Sequence, residues 1–75
     1  MQLNQLKPGD KVRIQALLGG AKAYRQRLLA MGLLPGVVFT VTRFAPLGDP
    51  IEILLRGFAL CLRKHEASLL QVEVV

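Results

Sequence analysis

Apolar and polar residues alternate one for one along most of this chain and change to a helical spacing once. From Lys11 to Leu17, Val12, Ile14 and Ala16 fall on one side and Lys11, Arg13 and Gln15 on the other, which predicts a half-buried strand. Val37 to Ala45 is rich in β-branched and aromatic residues and predicts the longest strand. Val37, Phe39 and Val41 share one of its faces; Val38, Thr40, Thr42 and Phe44 share the other. Phe44 is thus out of phase with Phe39, and is expected to pack on a helix or to face a partner. Ile51 to Arg56 sets Ile51, Ile53 and Leu55 against Glu52, Leu54 and Arg56. Phe58 to Leu62 turns Phe58, Leu60 and Leu62 inward and Ala59 and Cys61 outward. Leu70, Val72 and Val74 form a last alternating strand.

The helical spacing runs from Ala21 to Met31, inside the stretch YRQRLLAMGLLPG. Ala21, Tyr24, Leu28 and Met31 fall within one arc at roughly 100° per residue, and no β-branched residue interrupts them. Tyr24, Leu28 and Met31 are expected in the core. Gly32 suits the left-handed conformation that closes a helix, and Leu33 stands where a residue after the cap packs back on the last turn. Gly19-Gly20 offers no side-chain oxygen to cap the start. Leu29 and Leu34 do not fit the inward arc. Pro8-Gly9 and Pro35-Gly36 each predict a type II turn that launches a strand, with proline setting the first dihedral and glycine the positive second. Pro46 to Pro50 predicts a rigid loop whose turn Asp49 fixes, Arg56-Gly57 a tight hairpin turn, and Lys64 to Ser68 a single helical turn. Five short strands with tight turns favour a partly closed barrel, because closure hides strand edges. The expected fold is mainly β: a small SH3-like five-stranded barrel, one domain over residues 1–75, with a helix inserted after the first strand and a helical turn before the last.

Charge and chemistry narrow the function. The ten Lys and Arg give a net charge of +5, but they are scattered and no run exceeds two, so an acidic partner surface is a reading beside a merely solvated one. No apolar run approaches the roughly 18 residues of a membrane span, no secretory signal opens the chain, and the single cysteine, Cys61, has no disulfide partner within it. A cytoplasmic location is expected. Cys61 and His65 are two metal-ligand types four residues apart, and two ligands do not close a tetrahedral site. Asp49 and Glu52 are likewise too few for a hard cation. No nucleophile-base pair or phosphate loop is legible, so neither catalysis nor a metal or other cofactor is expected. A nucleic-acid barrel needs aromatic platforms beside a basic groove, and this chain has no Trp, one Tyr and three Phe. The surviving reading is an apolar partner surface made of Leu29, Leu33, Leu34, Phe44 and Leu54, rimmed by Arg25 and Arg27. Such a patch also invites weak self-association.

Three stretches together, YRQRLLAMGLLPG, VTRFAPLGDPIEI and ALCLRKHEASLLQVEV, closely resemble the FeoA family, small cytoplasmic proteins of the bacterial ferrous iron transport system. The similarity runs from Leu6 to Val74. The same module resembles the C-terminal domain of iron-dependent repressors of the diphtheria toxin repressor type, although no helix-turn-helix is present here. The resemblance implies an SH3-like barrel with an inserted helix. It also implies an accessory or regulatory role toward FeoB, a membrane ferrous iron transporter with a cytoplasmic G-domain, which would recruit the protein to the inner face of the membrane. The family is loosely associated with transition-metal ions, but it supplies no ligand set that maps onto these residues. The alternatives are a nucleic-acid-binding barrel and a transition-metal-responsive module.

Overall fold

The computed structural model describes residues 1–19 and 22–75. A short 3-10 turn at Leu3–Gln5 precedes β1 (Lys11–Leu17), α1 (Lys22–Ala30), β2 (Val38–Phe44), β3 (Ile51–Leu55), β4 (Phe58–Leu62), α2 (Lys64–Ala67) and β5 (Leu70–Val74). All strand pairs are antiparallel, in the order β4-β3-β2-β1-β5. The mainly β architecture, the helix after the first strand and the helical turn before the last are as the sequence predicts. Among the described residues the sheet is not closed by hydrogen bonds, and β4 and β5 are its two edges. The predicted helix start at Ala21, and Gly20 before it, lie outside the described residues.

Both proline-glycine turns form as expected. The Asp10 N–H donates to the Lys7 carbonyl at 3.0 Å across Pro8-Gly9, and the Val37 N–H to the Leu34 carbonyl at 3.0 Å across Pro35-Gly36. Gly9 and Gly36 have φ of +96° and +92°, which the second central position of a type II turn requires. Asp10 Oδ2 also accepts from the Lys7 N–H at 2.8 Å, tying the first turn shut.

Two irregularities set the phase of the strands. Between Val41 and Arg43 the β2–β3 register slips, so that Val41 pairs with Ile53 but Arg43 pairs with Glu52 and Phe44 with Ile51. One extra residue, Thr42, is absorbed as a bulge, and the faces exchange beyond it. Phe44 therefore returns to the core side and packs, half-buried, beside Ile51. The Thr42 hydroxyl holds the bulge, 3.0 Å from the Glu52 carbonyl and 3.1 Å from Glu52 Oε1. A second slip falls in β1 between Ile14 and Ala16, where β5 passes from Val72 to Gln71. The faces exchange there too, so Ala16, expected inward, pairs with Gln71, and Leu17, paired with Leu70, packs on the core instead. Arg13 Nη1 and Nε2 of the skipped Gln15 both reach the Glu73 carboxylate, at 3.2 and 2.9 Å. The core lies inside the curl of the sheet, around Val12, Ile14, Phe39, Val41, Ile53 and Leu70.

The helix ends as its glycine predicts. Gly32 has φ +89°, its N–H donates to the Leu29 carbonyl at 3.0 Å, and the Leu33 N–H donates to the Leu28 carbonyl at 3.0 Å. This is the paired bonding of a Schellman cap, with Leu33 packed back toward Leu28 and both fully buried. A Cβ on Gly32 would meet only Leu55 Cδ2, at an ordinary 3.8 Å, so the cost of adding one is conformational. Gly32→Ala should destabilise by about 1–2 kcal/mol in urea unfolding. A variant as stable as the parent would show that the left-handed cap is not required.

Candidate partner-docking surface

α1 is a nearly bare helix. Leu28 is its one buried residue among those described. Tyr24, expected in the core, is exposed at 38%. Its ring leans on His65 with centroids 4.8 Å apart and planes tilted by 56°. One turn on, Arg27 Nε stands 3.2 Å from Glu66 Oε2. That oxygen has no aligned hydrogen-bond donor among the described residues, so the contact is a charge pair rather than a linear bond. Tyr24, Arg27, Leu28 and Met31 thus form the inward arc, and half of it rests on α2 rather than on the sheet. The arc follows the predicted spacing but is covered by a four-residue helix, which is too small to bury a tyrosine.

α2 is capped at both ends by its own residues and held from outside by Asp49 and Arg27. Asp49 Oδ1 accepts from the Lys64 N–H at 3.0 Å, capping the helix from fifteen residues away. Asp49 therefore fixes α2 as well as sitting in its own loop. Glu66 Oε1 reaches back to the Arg63 N–H at 3.0 Å, the third-residue half of a capping box. Its side chain is buried, and Arg27 is the cation beside it. The Ser68 hydroxyl donates to the His65 carbonyl at 2.8 Å.

Against this frame the predicted docking residues separate. Leu33 is fully buried and belongs to the core; as the residue after a Schellman cap it cannot meet a partner. Phe44 is half-buried, because the Thr42 bulge returns it to the core side. It lines a cleft of about 240 Å³ with Leu3, Leu47, Ile51 and Ala67. Leu29, Leu34 and Leu54 are exposed at 39%, 45% and 42%. Leu29 and Leu34 flank the helix cap, whereas Leu54 lies on the outer side of the sheet, paired with Thr40 and Ala59. Arg25 is exposed, and Arg27 gives its Nε to Glu66 while most of its side chain stays in solvent.

Other exposed apolar residues were missed. Leu47 is 94% exposed at the tip of the β2–β3 loop. Phe58, expected inward, is 72% exposed. Its phase is right, since it pairs with buried Leu55, but β4 is an edge and little covers that side of it. Phe58, Leu60, Leu55, Met31, Gly32 and Arg56 line a shallow groove of about 340 Å³. The lack of any charge in the run from Phe58 to Leu62 was the legible signal. Val74, expected to alternate into the core, is also exposed.

No group of three or more His, Cys, Asp or Glu is placed to hold a metal ion among the described residues. Cys61 is an exposed free thiol on β4, while His65 packs against Tyr24 and Asp49 caps α2. Among the described residues no helix is long and apolar enough to cross a membrane.

Comparison with known proteins adds the family context. A model of the FeoA domain matches residues 1–74. The whole chain is 33% identical to part of an Fe(2+) transport protein A/Fe(2+) transporter FeoB fusion protein of Porphyromonas gingivalis, and it spans only 9% of that relative's length. Among solved structures, iron(II) transport protein A from Clostridium thermocellum is 40% identical with a TM-score of 0.89, over all of this chain and 46% of the other. A zinc-complexed FeoA from Stenotrophomonas maltophilia, described as a prokaryotic SH3 domain protein, is 21% identical with a TM-score of 0.82, over 97% of this chain and 89% of that one. At that identity it speaks for the fold, which is SH3-like.

Proposed function

We propose that this chain, which belongs to the FeoA domain family, is an accessory domain of bacterial ferrous iron uptake. It acts by binding the transporter FeoB on the side of its cytoplasmic G-domain and does no chemistry of its own. The observation that carries this reading is the Porphyromonas gingivalis relative, in which a segment matching the whole of this chain is fused to FeoB in a single polypeptide. Covalent linkage holds two modules at high effective concentration, which is useful when they work on each other. The exposed leucines around the helix cap, Leu29 and Leu34, support a docking pad there, with Arg25 and the free end of Arg27 beside it. Leu54 extends the apolar area on another face. In this reading the protein works in the cytoplasm and is brought to the membrane by its partner.

Leu29→Asp and Leu34→Asp test the pad. Both positions are exposed, so each variant should keep its circular dichroism spectrum and its urea midpoint nearly unchanged. Each should lose at least about tenfold in co-purification with full-length FeoB, as expected when a charge enters an apolar contact, with ferrous iron uptake falling in parallel. The pull-down is run with and without guanine nucleotide, and a G-domain contact should respond to it. Folded variants that keep both binding and uptake would overturn the pad.

A further inference from the structure

The two edges of the sheet are finished differently. On β5 the N-terminus covers the outer side: the Val72 N–H donates to the Met1 carbonyl at 2.8 Å, and Gln2 Nε2 reaches the Ser68 carbonyl at 3.4 Å. Glu73 adds a charge to that strand. β4 has none of these guards. It pairs with β3 alone, without a register slip, and Phe58 to Leu62 contains no charge and no proline. The turn between β3 and β4 has two residues, Arg56 and Gly57, both at positive φ, so Leu55 and Phe58 form a hydrogen-bonded pair. Phe58, Leu60 and Leu62 therefore direct their backbone groups to β3, and Ala59 and Cys61 direct theirs away from the sheet. Those outward groups have no partner among the described residues. Natural sheets cover or charge such an edge unless another strand is to be added there.

The surroundings of this edge define what fits. On the core side lies the groove lined by Met31, Gly32, Leu55, Phe58 and Leu60, which takes apolar side chains at every second position of an added strand. Both ends are basic: Arg56 at the turn, and Arg63 with Lys64 beyond Leu62. All three are exposed, and none is in an ion pair among the described residues. Carboxylates stand at the second end as well, Asp49 on the Lys64 N–H and Glu66 on the Arg63 N–H, but neither pairs with the Arg63 or Lys64 side chain. Glu66 pairs with Arg27, and Glu52 with the Thr42 hydroxyl. A second copy of this chain is a poor occupant. The antiparallel register that matches the outward groups of Ala59 with those of Cys61 also sets Arg56 of each copy against Lys64 of the other. These like charges lie just outside β4, in the turn and at the start of α2, and repel one another at both ends of the pair.

We propose that β4 is a strand-addition site for an extended segment of another protein, apolar at alternate positions and acidic at both ends. The site adjoins the helix cap through Met31 and Gly32 but uses neither Leu29 nor Leu34, and it does not depend on the identity of the transporter. The probe is a fluorescein-labelled peptide with a Val-Thr-Val-Thr-Val centre and two aspartates at each end; the control carries lysines in their place. By fluorescence anisotropy the acidic peptide should bind at least about tenfold more tightly than the control, and less tightly as salt is raised. On binding, the Ala59 and Cys61 amides should shift in the 15N spectrum and exchange more slowly. The double variant Arg56→Glu with Lys64→Glu, both exposed, should reverse the preference. Ala59→Pro should abolish binding, since it removes an outward donor and leaves the β3 ladder intact. Absence of binding at low salt, equal binding of the two peptides, amide shifts elsewhere, or a concentration-dependent dimer protected at β4 would each overturn the proposal. Should Ala59→Pro fail to fold, the charge-reversal variant decides the matter alone.

Discussion

Leu33→Asp should leave the protein unfolded at 25 °C, while Leu34→Asp, one position on, should fold normally. Leu33 is fully buried against the helix it follows, and Leu34 is 45% exposed. Burying a leucine contributes about 1.5–3 kcal/mol, which the substitution forfeits. An unpaired carboxylate in its place adds a desolvation cost of several kcal/mol. Arg27, the basic residue in the last turn of α1, is already turned to Glu66. A 75-residue domain has a total stability of roughly 4–11 kcal/mol. The combined loss is of that size, so circular dichroism should show no cooperative transition. Leu34→Asp should change the unfolding free energy from urea titration by no more than about 0.5 kcal/mol. If Leu33→Asp folds with its midpoint intact, the Schellman cap does not carry the packing assigned to it and the docking pad must be redrawn.

That contrast marks how far the sequence was readable. The spacing around Gly32 pointed Leu33 both ways, as a residue packing back on the last turn and as a partner contact; the cap bonds to Leu28 and Leu29 decide for the first. The proline-glycine turns were legible because four consecutive residues determine them. The inward set of β3 was legible because a strand with one buried face must alternate. In β1 this held for Val12 and Ile14 but not for Ala16, because the slip pairs Ala16 with Gln71 and turns Leu17 to the core instead. Phe44 was not, because a bulge is a property of two paired strands, and nothing in β2 alone shows that Thr42 will be skipped. Phe58 was assigned to the correct face and the wrong environment: alternation gives a side, while burial on that side depends on whether another element lies over it. Asp49 illustrates the same limit, since its partner, the Lys64 N–H, is set by how the β2–β3 loop folds over α2. Of the predicted docking residues, the exposed ones were those that broke the helical or strand phase with no compensating bulge or cap.

Leu28→Ala should detach α1 without unfolding the sheet. Leu28 is the one described residue of α1 that is fully buried. Beyond it the helix is held by half-buried Met31, by the Arg27–Glu66 pair and by the Tyr24–His65 contact. An exposed ring contact and a charge pair with one end in solvent each contribute about 1 kcal/mol or less. Truncating a buried leucine costs about 2–5 kcal/mol when its cavity persists. In this fold the helix has a cheaper response, which is to leave. A nine-residue helix is not stable alone in water, so undocking and melting are one event. The expected result is a loss of about 2–4 kcal/mol in the protection of the α1 amides, measured by native-state hydrogen exchange. The paired amides of β2 and β3 should retain most of theirs. Leu29 and Leu34 ride on this segment, so FeoB co-purification should weaken with the helix even though neither residue is touched. The unsubstituted protein with added partner should show the reverse, extra protection confined to α1, because a partner that binds only the docked helix stabilises it by mass action. An equal loss of protection at every amide in Leu28→Ala would show that α1 and the sheet unfold as one unit, and the loosely held docking helix would have to be abandoned.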